Sequence, residues 1–281
     1  MASFINTNVY SLNAQRALNT VDGQLQTSLE RLSSGFRINR AKDDAAGLAL
    51  TERFTAQIRG LEQANRNAND GISLLQTGEG ALQEVANSLQ RMRELAIQAR
   101  NGTVSSADKA SLNEEFKQLK AEIIRTTDVT EFNGTNLLGT NGSVAFQVGF
   151  QNGTNNQIKV STLNLSTANF TSGGIRSAIA TATLISTDAK ASQAISLMDK
   201  AINAVSKRRA DFGAKQNRLE STLRNNSSII ENQSAARSRV RDTDFAMETA
   251  NLTRTQILQQ AGIAMLAQAN QLPQNALSLI R

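Results

Sequence analysis

The chain has 281 residues and a formal charge of +6; 40% of its residues are hydrophobic and 19% are charged, which is typical of a folded protein. It contains no Cys and no His, which excludes disulfide bonds, Cys/His zinc sites and catalysis by a thiol or an imidazole. Catalysis by carboxylates, Lys, Ser or a bound Mg²⁺ stays open, so these absences disfavour an enzyme without excluding one. We expect a non-enzymatic protein without a cofactor. The N-terminal residues lack the basic segment of a cleaved signal peptide, and no window approaches the roughly 18 apolar residues of a membrane span, so we expect no membrane insertion.

The excess of positive charge lies in the last third of the chain, where residues 181–281 carry 13 basic and 8 acidic side chains. Its two clusters are Lys207–Arg209 and Arg237–Arg241, and only Phe212 and Phe245 accompany them as aromatic residues. Sites for single-stranded nucleic acid combine basic with aromatic side chains. A basic coiled-coil module that binds nucleic acid is therefore a remote alternative, and we expect no nucleic-acid partner.

The first predicted element is an amphipathic helix within residues 3–36, whose apolar side chains recur at helical spacing. A break at Ser33–Asn39 follows it, and the carboxylates of Asp43 and Asp44 are suited to cap the next helix. Adjacent residues on a helix point about 100° apart. This pair of carboxylates is therefore interpreted as a cap rather than as an acid–base or Mg²⁺ site.

A long helix is predicted over residues 45–100, because apolar residues recur every three or four positions from Ile58 to Ala96. Three glycines are predicted to interrupt it: Gly71, Gly78 and Gly80. Asn101-Gly102 predicts its end, and the spacing of Ser105 and Asp108 predicts the start of a further helix. The turn between the two helices predicts an antiparallel hairpin.

The middle of the chain differs in composition, because residues 132–187 contain only two charged side chains, Lys159 and Arg176. Apolar and polar residues alternate at Val144–Val148 and again at Ile158–Thr162, which predicts a β-hairpin. We expect its small core to contain four phenylalanines: Phe132, Phe146, Phe150 and Phe170.

A second long helix is predicted from the apolar spacing between Ile195 and Ile230, and a last amphipathic segment covers residues 245–280. The break between them is predicted at Arg237–Asp244, where Asp242 or Asp244 caps the last helix. The predicted fold is mainly α: long antiparallel helical rods and coiled-coil-like terminal helices, with a small β-hairpin in the middle of the chain.

Each terminal helix has an apolar stripe and no partner within its own segment. The two helices can pair with each other, and many copies of the chain can bury these stripes more completely. Ordering a residue costs roughly 1–2 kcal/mol of backbone entropy. We therefore predict that residues 1–40 and 242–281 are disordered in the soluble subunit and helical in an assembly.

Motifs at both ends of the chain resemble those of one protein family. Residues 1–135 and 190–281 resemble the terminal regions of bacterial flagellin, with the motifs in the same order. The motifs of the first region are Phe4–Asn8, Glu30–Asn39, Ala41–Gly47, Arg66–Ser73 and Gln90–Ala96, and those of the second are Gln256–Gly262 and Leu272–Arg281.

The resemblance implies that the chain is divided into five structural regions. They are an N-terminal inner-core helix and spoke (1–40), N-terminal outer-core helical rods (41–134), a surface-facing β-hairpin and loop region (135–185), a C-terminal outer-core helix (186–238), and a C-terminal spoke and inner-core helix (239–281). Larger flagellins carry outer domains where this chain has room only for the hairpin and a loop, so it resembles a short form.

The resemblance implies a structural subunit that polymerises helically into the bacterial flagellar filament, the motility propeller outside the cell. It also implies secretion in an unfolded state through the flagellar export apparatus, aided by an export chaperone. In the filament, the partners would be other copies, the filament cap and the hook–filament junction proteins. The alternative is that the chain is itself a hook–filament junction protein, which shares the terminal helices.

The resemblance assigns packing roles to two sets of side chains. Those expected in the inner core of the filament are Val9, Leu12, Leu18, Val21, Leu25, Leu32, Leu252, Leu258, Leu266, Leu277 and Ile280. Those expected to pack in the outer core are Leu75, Leu82, Leu89, Ile202, Phe212 and Leu219.

The resemblance further implies recognition by the animal Toll-like receptor that senses flagellin. The receptor-binding residues of the family correspond to Arg91, Leu95 and Glu122. Arg91 and Leu95 are four positions apart and so share a helix face, and a carboxylate on the returning helix would complete a small binding site. From the residues alone, the alternative is that Arg91 is a solvated charge and Leu95 packs between helices.

Some flagellins carry O-linked sugars on exposed Ser or Thr residues. By this resemblance, the candidate positions lie in the middle of the chain, where Ser and Thr are frequent. They are Ser143, Thr154, Thr162, Ser166 and Thr171.

Overall fold

The structure is a computed structural model and describes residues 7–140, 142–162 and 185–278, with side chains described as far as Gln271 at the C-terminal end. Its helices are α1 Val9–Ser34, α2 Ala45–Ala99, α3 Ser106–Val129, α4 Asp188–Arg241 and α5 Phe245–Ser278. Its strands are β1 Glu131–Phe132, β2 Thr135–Asn136, β3 Gly142–Gln147 and β4 Gln157–Thr162. The predicted mainly α fold with a small β-hairpin is confirmed.

Short polar side chains fix the starts of three helices. Asp44 accepts a hydrogen bond from the N–H of Gly47 at 2.8 Å before α2, and Asp244 accepts one from the N–H of Ala246 at 2.9 Å before α5. The predicted capping box of α3 is present, with reciprocal hydrogen bonds between Ser105 and the carboxylate three residues later. These bonds satisfy N–H groups that have no partner inside the helix. Of the two carboxylates considered for the last cap, Asp244 is the one that caps α5.

The chain divides into two compact units. The first unit comprises residues 1–58 and 231–281, and the second comprises residues 59–230. The first therefore contains α1, α5 and the adjoining ends of α2 and α4, and the second contains α3, the strands and most of α2 and α4. Each unit is thus built from segments that lie far apart in the sequence.

In the second unit, α2 and α4 pack antiparallel around a buried apolar core. Side-chain hydrogen bonds join them at three levels: Asn226 to Asn65 at 3.0 Å, Gln216 to Glu79 at 3.3 Å and Arg93 to Asp199 at 2.6 Å. Rising residue numbers on α2 pair with falling numbers on α4, as an antiparallel arrangement requires. Phe116 and Ile123 of α3 are buried in the same core.

The predicted interruption of α2 at its glycines is wrong, because the helix continues through all three of them. Gly78 lies where an aromatic ring approaches, and a Cβ there would stand 2.7 Å from Cε2 of Phe212. Gly71 meets Phe146 in the same way, with 3.2 Å to its Cγ. These two glycines allow close packing against α2, whereas Gly80 faces open space.

Strands β3 and β4 form the predicted antiparallel hairpin, which is tied to both long helices of the second unit. The side chain of Asn67 on α2 donates to the carbonyl of Gln147 at 3.0 Å. The side chain of Asn226 on α4 donates to the carbonyl of Val148, also at 3.0 Å. The hairpin therefore covers part of the pair formed by α2 and α4.

The expected core of four phenylalanines is only partly correct. Phe132 and Phe146 pack against the buried core of the second unit. Phe150 is 40% exposed, because it follows the end of β3 and lies in the turn of the hairpin. Phe170 lies outside the described residues.

In the first unit, α1 and α5 pack antiparallel. Polar contacts join them at three levels: Asn8 to the carbonyl of Ala269 at 2.8 Å, Gln259 to Asp22 at 2.8 Å and Ser28 to Glu248 at 2.5 Å. The expected pairing of the two terminal helices is therefore present within a single chain.

The second break in the helical pattern is shorter than predicted, because α4 continues to Arg241 before α5 begins at residue 245. The N–H of Arg37 donates to the carbonyl of Arg241 at 2.6 Å, and the N–H of Thr243 donates to the carbonyl of Gly35 at 3.0 Å. The guanidinium of Arg241 lies 4.2 Å from the ring centroid of Phe36, a cation–π contact. These contacts hold the last turn of α4 in place.

Candidate assembly surface and receptor site

Large apolar side chains on α1 and α5 remain exposed although the two helices contact each other. Their exposed fractions lie between 46% and 67%. They are Val9, Tyr10, Leu12 and Leu29 on α1, and Phe245, Met247, Ile257, Leu258, Ile263 and Met265 on α5. Contiguous exposed apolar surface on a soluble protein marks an interaction site. We call these ten side chains the terminal-helix surface.

A groove of about 790 Å³ between α1 and α5 continues this surface. Leu18 and Val21 line it from α1, and Leu258 and Met265 line it from α5. Gly262 allows the helices to approach, since a Cβ there would stand 3.3 Å from Cδ1 of Leu18. The groove is therefore an apolar channel that the pair itself does not fill.

The fully buried residues of this helix pair are polar or small. Ser28 is buried on α1, and its hydroxyl donates to the buried carboxylate of Glu248 on α5, with Arg31 at 3.7 Å from the same carboxylate. The other buried residues described on α5 are Thr255 and Ala269. Buried polar contacts of this kind set the alignment of paired helices more than their stability.

The side chains predicted for the inner core fall into two groups in the single chain. Those that are half-buried are Leu18, Val21, Leu25, Leu32, Leu252 and Leu266. Those that are exposed are Val9, Leu12 and Leu258. Leu277 lies in α5 beyond the last described side chain, and Ile280 lies outside the described residues.

The side chains predicted for the outer core come together in the core of the second unit. Five of them are at most 2% exposed: Leu75, Leu82, Leu89, Phe212 and Leu219. Ile202 is half-buried and packs against the same cluster. These residues thus form the subunit's own core.

Arg91 is exposed on α2 and bridges to α3. Its Nε donates to Glu115 at 2.8 Å, and its Nη1 donates to Glu94 at 3.2 Å. The hydrogen bond that Arg91 donates to Glu115 is the main cause that raises the pKa of Arg91 above its ordinary value, followed by the bond to Glu94. The sequence analysis did not predict that Glu115 pairs with Arg91, because this pairing depends on the register of α2 and α3.

The three predicted receptor residues have different surroundings in the structure. Glu122 lies about two turns beyond Glu115 on α3 and binds Arg125 at 2.6 Å instead. That hydrogen bond is the main cause that lowers the pKa of Glu122. Leu95 has an exposed fraction of 0% and packs in the core of the second unit. Arg91 and Glu122 are thus surface charges, and Leu95 is a core residue.

Two of the five candidate glycosylation positions are exposed, namely Ser143 and Thr154. Thr162 is 5% exposed because it faces inward from β4, so it lacks the exposed hydroxyl that the prediction assumes. Ser166 and Thr171 lie outside the described residues. Ser143 and Thr154 are therefore the candidates with a described exposed hydroxyl, and the positions outside the described residues stay predictions.

In the described part of the chain, no helix is long and apolar enough to cross a membrane. The same residues contain no group of three or more acidic side chains placed to hold a metal ion.

Comparison with known proteins adds evidence that is independent of these contacts. The family profile of the bacterial flagellin N-terminal helical region matches residues 5–143, and that of the C-terminal helical region matches residues 195–280. A flagellin from Halalkalibacterium halodurans is 50% identical over 278 residues, which is 99% of each chain. The chain belongs to the bacterial flagellin family.

Other relatives agree at greater distance. Flagellin FlaB2 of Treponema pallidum is 42% identical over 285 residues, again 99% of each chain. A Vibrio parahaemolyticus protein described as a flagellar hook-associated protein has a TM-score of 0.61, over 71% of this chain and 100% of that one. It is 13% identical, so it shows a shared fold only.

Membership of the family carries a structural role. Flagellins are structural proteins that polymerise into the extracellular flagellar filament, so this chain is a filament subunit located outside the cell. Only residues 144–194 separate the two matched regions, which leaves no room for a large outer domain. The predicted short form of flagellin is therefore confirmed.

Proposed function

We propose that copies of this chain polymerise through the terminal-helix surface, with residues 1–40 and 239–281 as the inner core and residues 41–134 and 186–238 as the outer core of the filament. The observation that supports this is the exposure of large apolar side chains on both α1 and α5. The pair leaves its groove unfilled. Contacts that repeat between copies without closing on themselves generate a fibre.

Covering this surface provides the driving force for growth. Fully burying a leucine-sized side chain stabilises an assembly by about 1.5–3 kcal/mol. Leu258 is 46% exposed and lines the groove, so a neighbouring copy can cover the rest of it. Replacing it removes contacts between copies and few contacts within the chain.

Leu258→Ala therefore tests the proposal. Because about 1.4 kcal/mol corresponds to a factor of ten in an equilibrium constant, we expect the critical concentration for filament growth to rise about tenfold. Sedimentation after seeding measures this concentration, and negative-stain microscopy records filament length. Val129→Ala is the matched control, because Val129 is 59% exposed at the end of α3 and belongs to neither terminal helix. We expect no change for it.

Two outcomes would count against the proposal. An unchanged critical concentration for Leu258→Ala would mean that the terminal-helix surface does not carry the contacts. If the purified wild-type chain formed only short oligomers under seeding, the hook–filament junction alternative would be favoured.

We also propose that the chain passes unfolded through the flagellar export apparatus, and that an export chaperone covers the terminal-helix surface before assembly. The chain contains no Cys and one Pro, so neither a disulfide nor multiple slow prolyl isomerisations oppose unfolding and refolding. In the filament, its partners are other copies, the filament cap and the hook–filament junction proteins. None of these roles requires catalysis.

We propose that the flagellin-sensing Toll-like receptor of animals contacts this chain through Arg91 and Glu122. Both side chains are exposed and charged, on neighbouring helices of the second unit. Leu95 contributes indirectly, by packing α2 into the core.

A receptor reporter assay tests this role, with Arg91→Ala and Glu122→Ala expected to weaken signalling. The ion pairs of both residues are exposed, so their loss leaves the fold intact. Glu84→Ala, which removes an exposed charge elsewhere on α2, is the control. Unchanged signalling for both test variants would reject the receptor site.

A further inference from the structure

Methionine side chains differ sharply in exposure between the two units. Met92 and Met198 lie in the core of the second unit with exposed fractions of 0%. Met247 and Met265, both on α5, are 67% and 63% exposed. Oxidation of a thioether to its sulfoxide depends on access. The same chain therefore contains a protected pair and an accessible pair of methionines.

The accessible pair lies on one face of α5. The two residues are 18 positions apart, which is about five whole turns of an α-helix, so their side chains point the same way. Leu258 lies within about 20° of the same line. Met265 also lines the groove with Leu18 and Val21. Both sulfur atoms therefore belong to the terminal-helix surface.

We propose that Met247 and Met265 are oxidation sites for hydrogen peroxide, and that their conversion to sulfoxides stops the subunit from joining a filament. This inference rests on the proposed assembly role of the terminal-helix surface. It adds a chemical modification that controls that role.

The reaction balances with one peroxide per sulfur. The thioether sulfur attacks one peroxide oxygen, an S–O bond forms and the O–O bond breaks. Sulfur loses two electrons, which reduce the peroxide. The proton of the transferred hydroxyl joins the departing hydroxide as water.

The sulfoxide changes the assembly surface without changing the subunit's core. Oxidation turns a flexible apolar side chain into a polar one. A polar group that is buried without a hydrogen-bond partner lowers the stability of the contact that buries it. Because Met247 and Met265 are exposed in the single chain, this penalty arises only when a neighbouring copy covers them.

The experiment treats the full-length soluble chain with hydrogen peroxide and measures the sulfoxide at each methionine by peptide mass spectrometry. We expect Met247 and Met265 to react at least about tenfold faster than Met92 and Met198, which react only when the core opens. We expect the critical concentration of the oxidised chain to rise at least about tenfold, since two covered side chains become polar. Treatment with both methionine sulfoxide reductases should restore it.

The matched control is the double variant Met247→Leu/Met265→Leu, which keeps an apolar side chain of similar volume at each position. It should polymerise normally and resist peroxide, whereas Met92→Leu should remain sensitive. If the double variant fails to polymerise, rescue of the oxidised wild-type chain by the reductases decides the question.

Equal oxidation rates at Met92, Met198, Met247 and Met265, normal polymerisation of the oxidised chain, or a peroxide-sensitive double variant would each overturn the inference. Failure of Leu258→Ala to affect growth would count against the assembly surface itself. The peptide masses report the oxidation separately from assembly, so the two failures are distinguishable.

Discussion

The second unit and the pair of α1 and α5 both begin from long helices with apolar stripes, but they bury these stripes to different extents. In the second unit, Leu75, Leu82 and Leu89 have exposed fractions of 0%. In the terminal pair, large apolar side chains remain about half exposed, and the fully buried residues described there are polar or small. The amphipathic pattern of a helix thus does not reveal whether the helix packs against its own chain or against another copy.

The number of packed elements explains this difference. In the second unit, α3 and the β3–β4 hairpin add further layers to α2 and α4, so the apolar side chains are enclosed. The terminal pair consists of two helices, and two helices cannot cover each other's outer faces. We therefore expect the stability of α1 and α5 to depend on neighbouring copies, whereas the core of the second unit is enclosed within one chain.

The largest expected difference between the terminal helices and the second unit is in the amide hydrogen exchange of the free subunit. The structure gives α1 and α5 as helices, and the disorder predicted for residues 1–40 and 242–281 of the soluble subunit stays a prediction. Opening free energies range from near zero to the global stability of roughly 5–15 kcal/mol. We expect amides in α1 and α5 to exchange at least about a thousandfold faster than core amides of α2 and α4.

The matched measurement is exchange in the assembled filament, where α1 and α5 should become protected. Exchange in the core of the second unit should change little between the two forms. Terminal helices that are already protected in the free subunit would show that the pair is stable by itself, and the comparison would fail.

Two glycines on α2 test the close packing of the second unit. A Cβ at Gly78 would stand 2.7 Å from Cε2 of Phe212, whereas a Cβ at Gly80 would meet nothing within 4 Å. Overpacking costs about 1–3 kcal/mol, so Gly78→Ala should lower the free energy of unfolding. Gly80→Ala should raise it by about 0.5–1 kcal/mol, because Ala favours the helix. Urea denaturation measures both, and equal effects of the two variants would contradict the packing described.

Much of the second unit could be predicted from the sequence, because its signals are local. The spacing from Ile58 to Ala96 predicted α2, and the capping pair Ser105 and Asp108 predicted the start of α3. The alternation of apolar and polar residues predicted a hairpin of β3 and β4, and their antiparallel pairing confirms this prediction. The short β1–β2 hairpin was missed, although Asn133 and Gly134 are a typical pair for such a turn and both have positive φ.

The features that sequence could not predict depend on contacts between distant segments. Gly78 was expected to interrupt α2 because glycine disfavours a helix. The sequence does not show that Phe212, which is far away in the chain, packs closely against this position. The pairing of Arg91 with Glu115 depends on the register of α2 and α3, which the turn fixes only approximately. The burial of Leu95 follows from the same packing, so the helix face that Leu95 shares with Arg91 is not exposed at Leu95, and the receptor site itself stays a prediction.

The smallest expected effect concerns the segment between α1 and α2. Asp43 accepts hydrogen bonds from the N–H groups of Arg40 at 2.9 Å and Asn39 at 3.2 Å, and the bond from Arg40 is the main cause that lowers its pKa below 3.8. A lowered pKa in the folded state stabilises the fold above the ordinary pKa, and this stabilisation is lost as the pH falls through the folded value. Because the carboxylate is exposed, the effect is small.

Asp43→Asn should therefore lower the free energy of unfolding slightly near neutral pH and leave it unchanged at pH values below the folded pKa of Asp43, so that a small part of the acid sensitivity of unfolding is lost. Unfolding midpoints between acidic and neutral pH measure this, and an NMR titration of Asp43 locates its pKa directly. Glu84→Gln, which removes an exposed carboxylate from α2, is the control. A titration midpoint at or above the ordinary value would mean that the Arg40 and Asn39 bonds do not persist in solution. The segment between α1 and α2 would then lack the two backbone hydrogen bonds to Asp43 that hold its conformation.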